Sequence, residues 1–276
     1  IHALPTGWVD DLCRWEPSMR VCDGVDDCVK AVREQLRAGA EIIKICASGG
    51  VISERNDPRH QQFTRAEMEA MVEVAGMADR SVMAHCHGAG AMLAAVEAGV
   101  RTIEHGTYID AEVIAAMAER DVLLVPTRMI AREMLENASG MTPEMSAKMR
   151  VVYDDAAEAI AAAHQAGVRF AMGTDVLLSG LDLPAAWGNN ARELPLLAEL
   201  GLSPLEVIEA TTANAPDTLG ARAPRSGQLV AGYDADVIGV AGDPTVDVAV
   251  LADPANVTTV WQGGRLVHQR GRPGSV

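Results

Sequence analysis

The sequence predicts an α/β protein built on a parallel sheet, and three observations carry that expectation. A helix followed by a strand recurs five times between Asp23 and Met172, the signature of βα units. No Gly-x-Gly-x-x-Gly follows any of these strands, which sets aside a doubly wound nucleotide fold and favours a partial (β/α)8 barrel of TIM type with about five units visible. Beyond Leu219 the texture changes to alternating stretches that turn on glycines, as in a small β segment. The barrel part is assigned to residues 1–220 and the β segment to 221–276.

The elements follow in order. Residues 1–22 read as irregular, punctuated by Pro5, Gly7 and Pro17. Asp23 is placed to cap a helix whose apolar positions Val25, Val29, Val32 and Leu36 fall at helical spacing, and Gly39 ends it. The strand Glu41–Cys46 comes next. Thr64 caps a helix to about Ala78, before the strand Ser81–Ala84. A helix from about Gly90 to Ala98 leads to the strand Arg101–Glu104, and one from Asp110 to Glu119 leads to Val122–Val125. A long helix over Pro143–Ala166 precedes the strand Val168–Met172, and two more helices are expected near Asn190–Leu200 and Pro204–Ala213. The sequence "QGGRLV" reads as a hairpin.

Composition narrows the function. Apolar residues make up 49% of the 276, enough for a sizeable core, and the net charge of −15 argues against a nucleic-acid partner. No apolar run reaches the length of a bilayer span. The five cysteines (Cys13, Cys22, Cys28, Cys46 and Cys86) lack zinc-finger spacing and fit free thiols in a reducing, cytoplasmic compartment. Self-association into a homo-oligomer is left open.

In a parallel barrel the working side chains stand at the C-terminal ends of strands. Those ends offer Lys44 from "EIIKICASGG", His85 from "VMAHCHG", His105 from "TIEHG" and Asp175 from "AMGTDV". Singly, each has a plainer use: a core hydrogen bond for a histidine, a turn cap for the aspartate, a snorkelling stem for the lysine. Together at one rim they read as ligands of a divalent cation, since imidazole and carboxylate are what such an ion takes. An ammonium cannot bind a cation, so Lys44 is either a Schiff-base lysine or has reacted with carbon dioxide to a carbamate able to bridge two ions; the neighbouring ligands favour the carbamate. His87, Tyr108 and Arg128 are candidates for substrate contact, Arg128 as a clamp for a carboxylate. The loop "GGVISERNDPRHQQF" has the length of a lid, with His60 solvated on it. Cys46 and Cys86 read as small buried fillers.

The motifs "IIKICASGGVIS", "AHCHGAGAMLAAVEAGVRTIEHGTYID", "GTDV", "NARELPLLAELGLSPLEVIEATTANA" and "GQLVAGYDADVIGVAGDP" resemble the amidohydrolase superfamily, in its imidazolonepropionase- and prolidase-like branch. The resemblance runs from about Asp23 to Val267. It implies a carboxylated Lys44, His85 and His105 as metal ligands, and Asp175 as both ligand and proton shuttle. It also implies zinc, one ion or two, a C-terminal β-sandwich segment, and hydrolysis of an amide C–N bond. The implied small-molecule substrate is a dipeptide such as Xaa-Pro, an N-acyl amino acid or a cyclic amide. Two departures stand out. The family's His-x-His pair on its first strand has no counterpart before Lys44, where His2 stands alone, and Trp187 stands where the family often has His-Gly. The chain therefore reads as the C-terminal two-thirds of an enzyme. The competing expectations are a Schiff-base lyase using Lys44, or an incomplete barrel that folds or works only with a partner.

Overall fold

Short runs of apolar and β-branched residues form four parallel strands: β1 (Ile43–Cys46), β2 (Val82–Cys86), β3 (Thr102–His105) and β4 (Leu123–Val125). They lie side by side in chain order, with Cys46 opposite His85, Cys86 opposite His105 and Glu104 opposite Val125. This computed structural model describes residues 1, 20–51, 56–136, 142–176 and 186–271. His2, Cys13 and nearly all of the irregular stretch 1–22 lie outside the described residues, as do positions 52–55 of the lid loop.

Between the strands run α1 (Val25–Arg37), α2 (Arg65–Gly76), α3 (Ala89–Ala98) and α4 (Ala111–Arg120). Their apolar stripes meet one face of the sheet. Ile43, Ile45 and Ile103 from the strands join Met68, Met71, Met92 and Met117 from the helices in one buried cluster. Burying each such side chain contributes about 1.5–3 kcal/mol. Alternation decides the opposite face: Ile43 and Ile45 are buried, so Lys44 between them points the other way and keeps 44% of its side chain exposed.

Local chemistry sets the helix ends. Thr64 and Glu67 form a reciprocal capping box at α2, and the Asp110 carboxylate accepts the Glu112 and Val113 N–H groups at α4. Asp23, expected to cap α1, does not. Gly24 occupies the capping position with φ 78° and no side-chain bond, leaving the Asp23 carboxylate one residue too early.

Three further differences bear on the site. The expected strand Val168–Met172 reduces to one bridge, Phe170 to Leu124, with hydrogen bonds on either side of it to Arg169 and Ala171. Its other edge is taken up: Met172 N–H donates to Ala210 O at 3.1 Å, and Asn214 Nδ2 donates to Phe170 O at 3.0 Å. A helix α5 (Arg128–Glu136), which is not among the expected elements, follows β4. The long helix is interrupted: α6 (Pro143–Arg150) and α7 (Ala156–Gln165) are joined by a π-turn at Val151–Asp155. A 3₁₀ turn (Asn190–Arg192) then leads into α8 (Glu193–Glu199), and Ser203 caps α9 (Pro204–Thr211) through a second capping box.

The C-terminal segment holds β5 (Val237–Val240), β6 (Val257–Gln262) and β7 (Arg265–Gln269), paired antiparallel in that order. Gly263 and Gly264, at φ 56° and 76°, make the two-residue turn of the expected hairpin. No described helix is long and apolar enough to cross a membrane.

Opposite the candidate site, where strands begin, charges lock the barrel's lower rim. Arg169 holds Asp121 through two bonds of 2.7 and 2.8 Å and reaches Asp217 at 2.9 Å, while Arg101 adds a 3.3 Å contact to Asp121. The Arg169 guanidinium keeps the Asp121 carboxyl below its usual range. Asp121 is half-exposed, so solvent screens the network. Asp121→Ala is expected to cost about 1 kcal/mol in urea unfolding, and less in high salt.

Candidate active site

The strand ends bring three imidazoles together. His85 comes from the half-buried face of β2, and its Nε2 lies 3.2 Å from Gly49 O. His87 follows two residues later, and its backbone N–H donates to Ser48 Oγ at 2.9 Å. His105 ends β3 with φ 76°, a left-handed backbone that turns its ring inward. The ring centroids lie 4.6–4.8 Å apart, with His87 and His105 stacked at 13°. Their ligand-capable nitrogens all fall within 4.8 Å of one another.

Two threonines orient the buried rings. His87 Nδ1 lies 2.6 Å from Thr107 Oγ1, and His105 Nδ1 lies 2.6 Å from Thr127 Oγ1. A neutral ring that donates its Nδ1–H to a hydroxyl oxygen keeps its lone pair on Nε2. Among the described residues, His105 Nε2 is buried with no hydrogen-bond partner. Burial, and then the neighbouring rings, hold the His87 and His105 pKa values well below the ordinary histidine value, so both rings are neutral donors.

Carboxylates and the lysine complete the group. Asp175, also left-handed at φ 54°, lines the same cleft as the three histidines. Its Oδ1 lies 3.7 Å from Lys44 Nζ. Burial raises the Asp175 pKa, and Lys44 opposes the rise. Glu104 on β3 went unremarked in the sequence. It is buried beneath the cluster, accepts the Thr102 hydroxyl at 2.5 Å, and burial pushes its pKa up to about 7. Its signal was available: a carboxylate inside the apolar run "TIEH".

The cleft wall is mostly apolar, formed by Val51, Ile130, Met134, Met149 and Val152. Arg128 enters it from the start of α5 with only 5% exposure. Its guanidinium stacks on the Tyr153 ring at 4.3 Å and donates through Nη2 to Tyr153 O at 3.0 Å, the carbonyl lying within the π-turn. Its Nε is buried with no hydrogen-bond partner among the described residues. Tyr108 is half-buried; its backbone N–H donates to His87 O, and it is not among the residues that line the cleft. Trp187 is 63% exposed and does not line it either. His60 is solvated, as expected, and Cys86 is wholly buried while Cys46 is partly so.

Imidazoles and a carboxylate gathered at the C-terminal ends of parallel strands define the rim where barrel proteins of this architecture place their active sites. The chain belongs to the amidohydrolase family, whose sequence model matches residues 5–267. It is 42% identical over 248 residues to the ochratoxinase of Aspergillus niger, covering 89% of this chain and 50% of that protein. The chain thus spans about half the length of that curated relative. The crystal structure of A. niger ochratoxinase superposes with a TM-score of 0.82 at 40% identity, covering 92% of this chain and 56% of that one. A prolidase complexed with N-methylphosphonate-L-proline superposes with a TM-score of 0.82 at 34% identity, over 91% of this chain and 60% of the other.

Proposed function

We infer that the protein is a metal-dependent amidohydrolase that cleaves an amide C–N bond in a small substrate bearing a carboxylate, such as an Xaa-Pro dipeptide or an N-acyl amino acid. The observation that carries this reading is the buried His105 Nε2, without a hydrogen-bond partner among the described residues, facing two further imidazoles within 4.8 Å. Neutral imidazoles beside a carboxylate suit zinc or a similar divalent ion. His85, His105 and Asp175 would hold it, with Lys44, as a carbamate, supplying a further carboxylate-type donor. Bound there, such an ion lowers the pKa of water to about 7 and polarises a carbonyl.

The chain's own groups do the rest. Asp175 takes the proton of the attacking water on a carboxylate oxygen and passes it to the leaving nitrogen, as base and then acid. His87 and Arg128 contact the substrate, Arg128 presenting its Nε to the carboxylate. The apolar wall excludes bulk water and strengthens these contacts. The position of Lys44 Nζ, 3.7 Å from the Asp175 carboxylate, supports a role for it next to that ligand. The relatives named for ochratoxinase and prolidase activity support the amide C–N bond as the target.

The test is metal analysis of protein prepared with zinc and bicarbonate, beside Lys44→Ala. The parent is expected to retain at least one zinc per chain and the variant markedly less. Hydrolysis across a panel of dipeptides and N-acyl amino acids is expected to stop with chelator and return with zinc. Equal zinc in parent and variant refutes the carbamate, and a zinc-loaded protein that cleaves nothing in the panel refutes the hydrolase reading.

A further inference from the structure

Helix α5 is capped from a distance. Thr127 stands just before it, where a threonine hydroxyl ordinarily accepts an N–H of the first turn. Its Oγ1 is instead engaged with His105 Nδ1 at 2.6 Å. The Thr127 backbone is left-handed, φ 50°, which a β-branched residue adopts only where the surroundings impose it.

The N–H groups at the start of α5 go to Glu193 of α8. Arg128 N–H donates to Glu193 Oε1 at 2.8 Å, and Met129 N–H donates to Oε2 at 2.6 Å. Both carboxylate oxygens are thereby used, and Glu193 has no exposed surface. The preceding residue adds a second tie: Arg192 Nη1 reaches Glu133 on α5 at 2.6 Å. Two successive residues therefore fix the helix at its end and along its side.

We propose that Glu193 is a positioning residue of the imidazole cluster: capping α5 in place of Thr127, it holds Thr127 in the backbone that aims its hydroxyl at His105, and it seats Arg128 in the cleft. This rests on the reading of His105 as a metal ligand. The neighbouring hydroxyl matters because the partner of a ligating histidine fixes its tautomer and ring orientation, and losing such a partner weakens metal binding about 10–100-fold.

The experiment measures zinc affinity, by competition with a chromophoric chelator, for the parent, Glu193→Gln, Glu193→Asp and Thr127→Val. Glutamine keeps the shape but offers one acceptor oxygen, leaving one N–H of α5 unserved. Both Glu193→Gln and Thr127→Val are expected to bind zinc about tenfold more weakly or worse, with unchanged circular dichroism well below the unfolding temperature. A purely structural tie would lower the unfolding temperature and leave the affinity of the folded protein alone. Parental zinc affinity in folded Glu193→Gln, or in Thr127→Val, overturns the proposal while leaving the metal centre standing. A parent that takes up no zinc overturns the metal centre and this role with it. If Glu193→Gln does not fold, Glu193→Asp decides by the same criterion, because it keeps the carboxyl group but is too short to reach both N–H groups.

Discussion

Alanine in place of His105 is expected to strip the protein of zinc, weakening binding about a hundredfold or more, and to abolish hydrolysis with it. The expectation follows from position. His105 contributes a buried Nε2 that none of the described residues satisfies, at the centre of rings 4.6 and 4.8 Å away. Leaving such an atom unpaired costs about 1–3 kcal/mol, and a bound cation removes that cost. The ring is also fixed by Thr127 and kept neutral by burial, so little reorganisation precedes binding. Removing it deletes a donor that the remaining side chains cannot replace from their own strands. The measurement is zinc content after dialysis against a weak chelator, with the unfolding temperature recorded alongside. His87→Ala serves as the internal comparison: as a substrate contact it is expected to retain zinc and raise KM. A His105→Ala protein that keeps the parental zinc content would remove His105 from the ligand set.

Arg128→Met is expected to lower kcat/KM for carboxylate-bearing substrates about a hundredfold, mainly through KM, while their methyl esters change little. A hydrogen bond to a charged group contributes about 1.5–3 kcal/mol, and the guanidinium has donors to spare. Nη2 is held by Tyr153 O and the plane by the Tyr153 ring, but Nε has no partner among the described residues. Methionine keeps an apolar stem of similar length against Tyr153, so the packing of α5 largely survives. Arginine is the residue suited to planar recognition of a carboxylate, which a point charge reproduces poorly. Equal losses on acid and ester would assign Arg128 to holding α5 on the π-turn and not to the substrate.

Much of the architecture was legible because it is written in short-range chemistry. Thr64 and Glu67, or Ser203 and Glu206, stand three residues apart, and each pair satisfies N–H groups of its own helix turn. Apolar runs marked β1 to β4, and paired glycines marked the β6–β7 turn. The candidate ligands were visible for a related reason. A histidine or lysine in or beside an apolar strand is conspicuous, and parallel strands bring their C-terminal ends to one side. Register then placed His85 and His105 on neighbouring strands within a ring's width of each other.

What the sequence determined by itself was therefore the class of fold, the order of its elements and the residue types available at one rim. The tertiary structure decided how those residues are aimed. Thr107 meets His87 across 20 residues, Thr127 meets His105 across 22, and Glu193 caps α5 from 65 residues away. It also decided that Val168–Met172 pairs through a single bridge and that a π-turn interrupts the long helix beside Arg128. The reason is physical. A cap or an amphipathic stripe is satisfied within one or two turns of its own chain. A left-handed φ at Thr127, His105 or Asp175 is unfavourable locally and exists only because distant packed groups impose it.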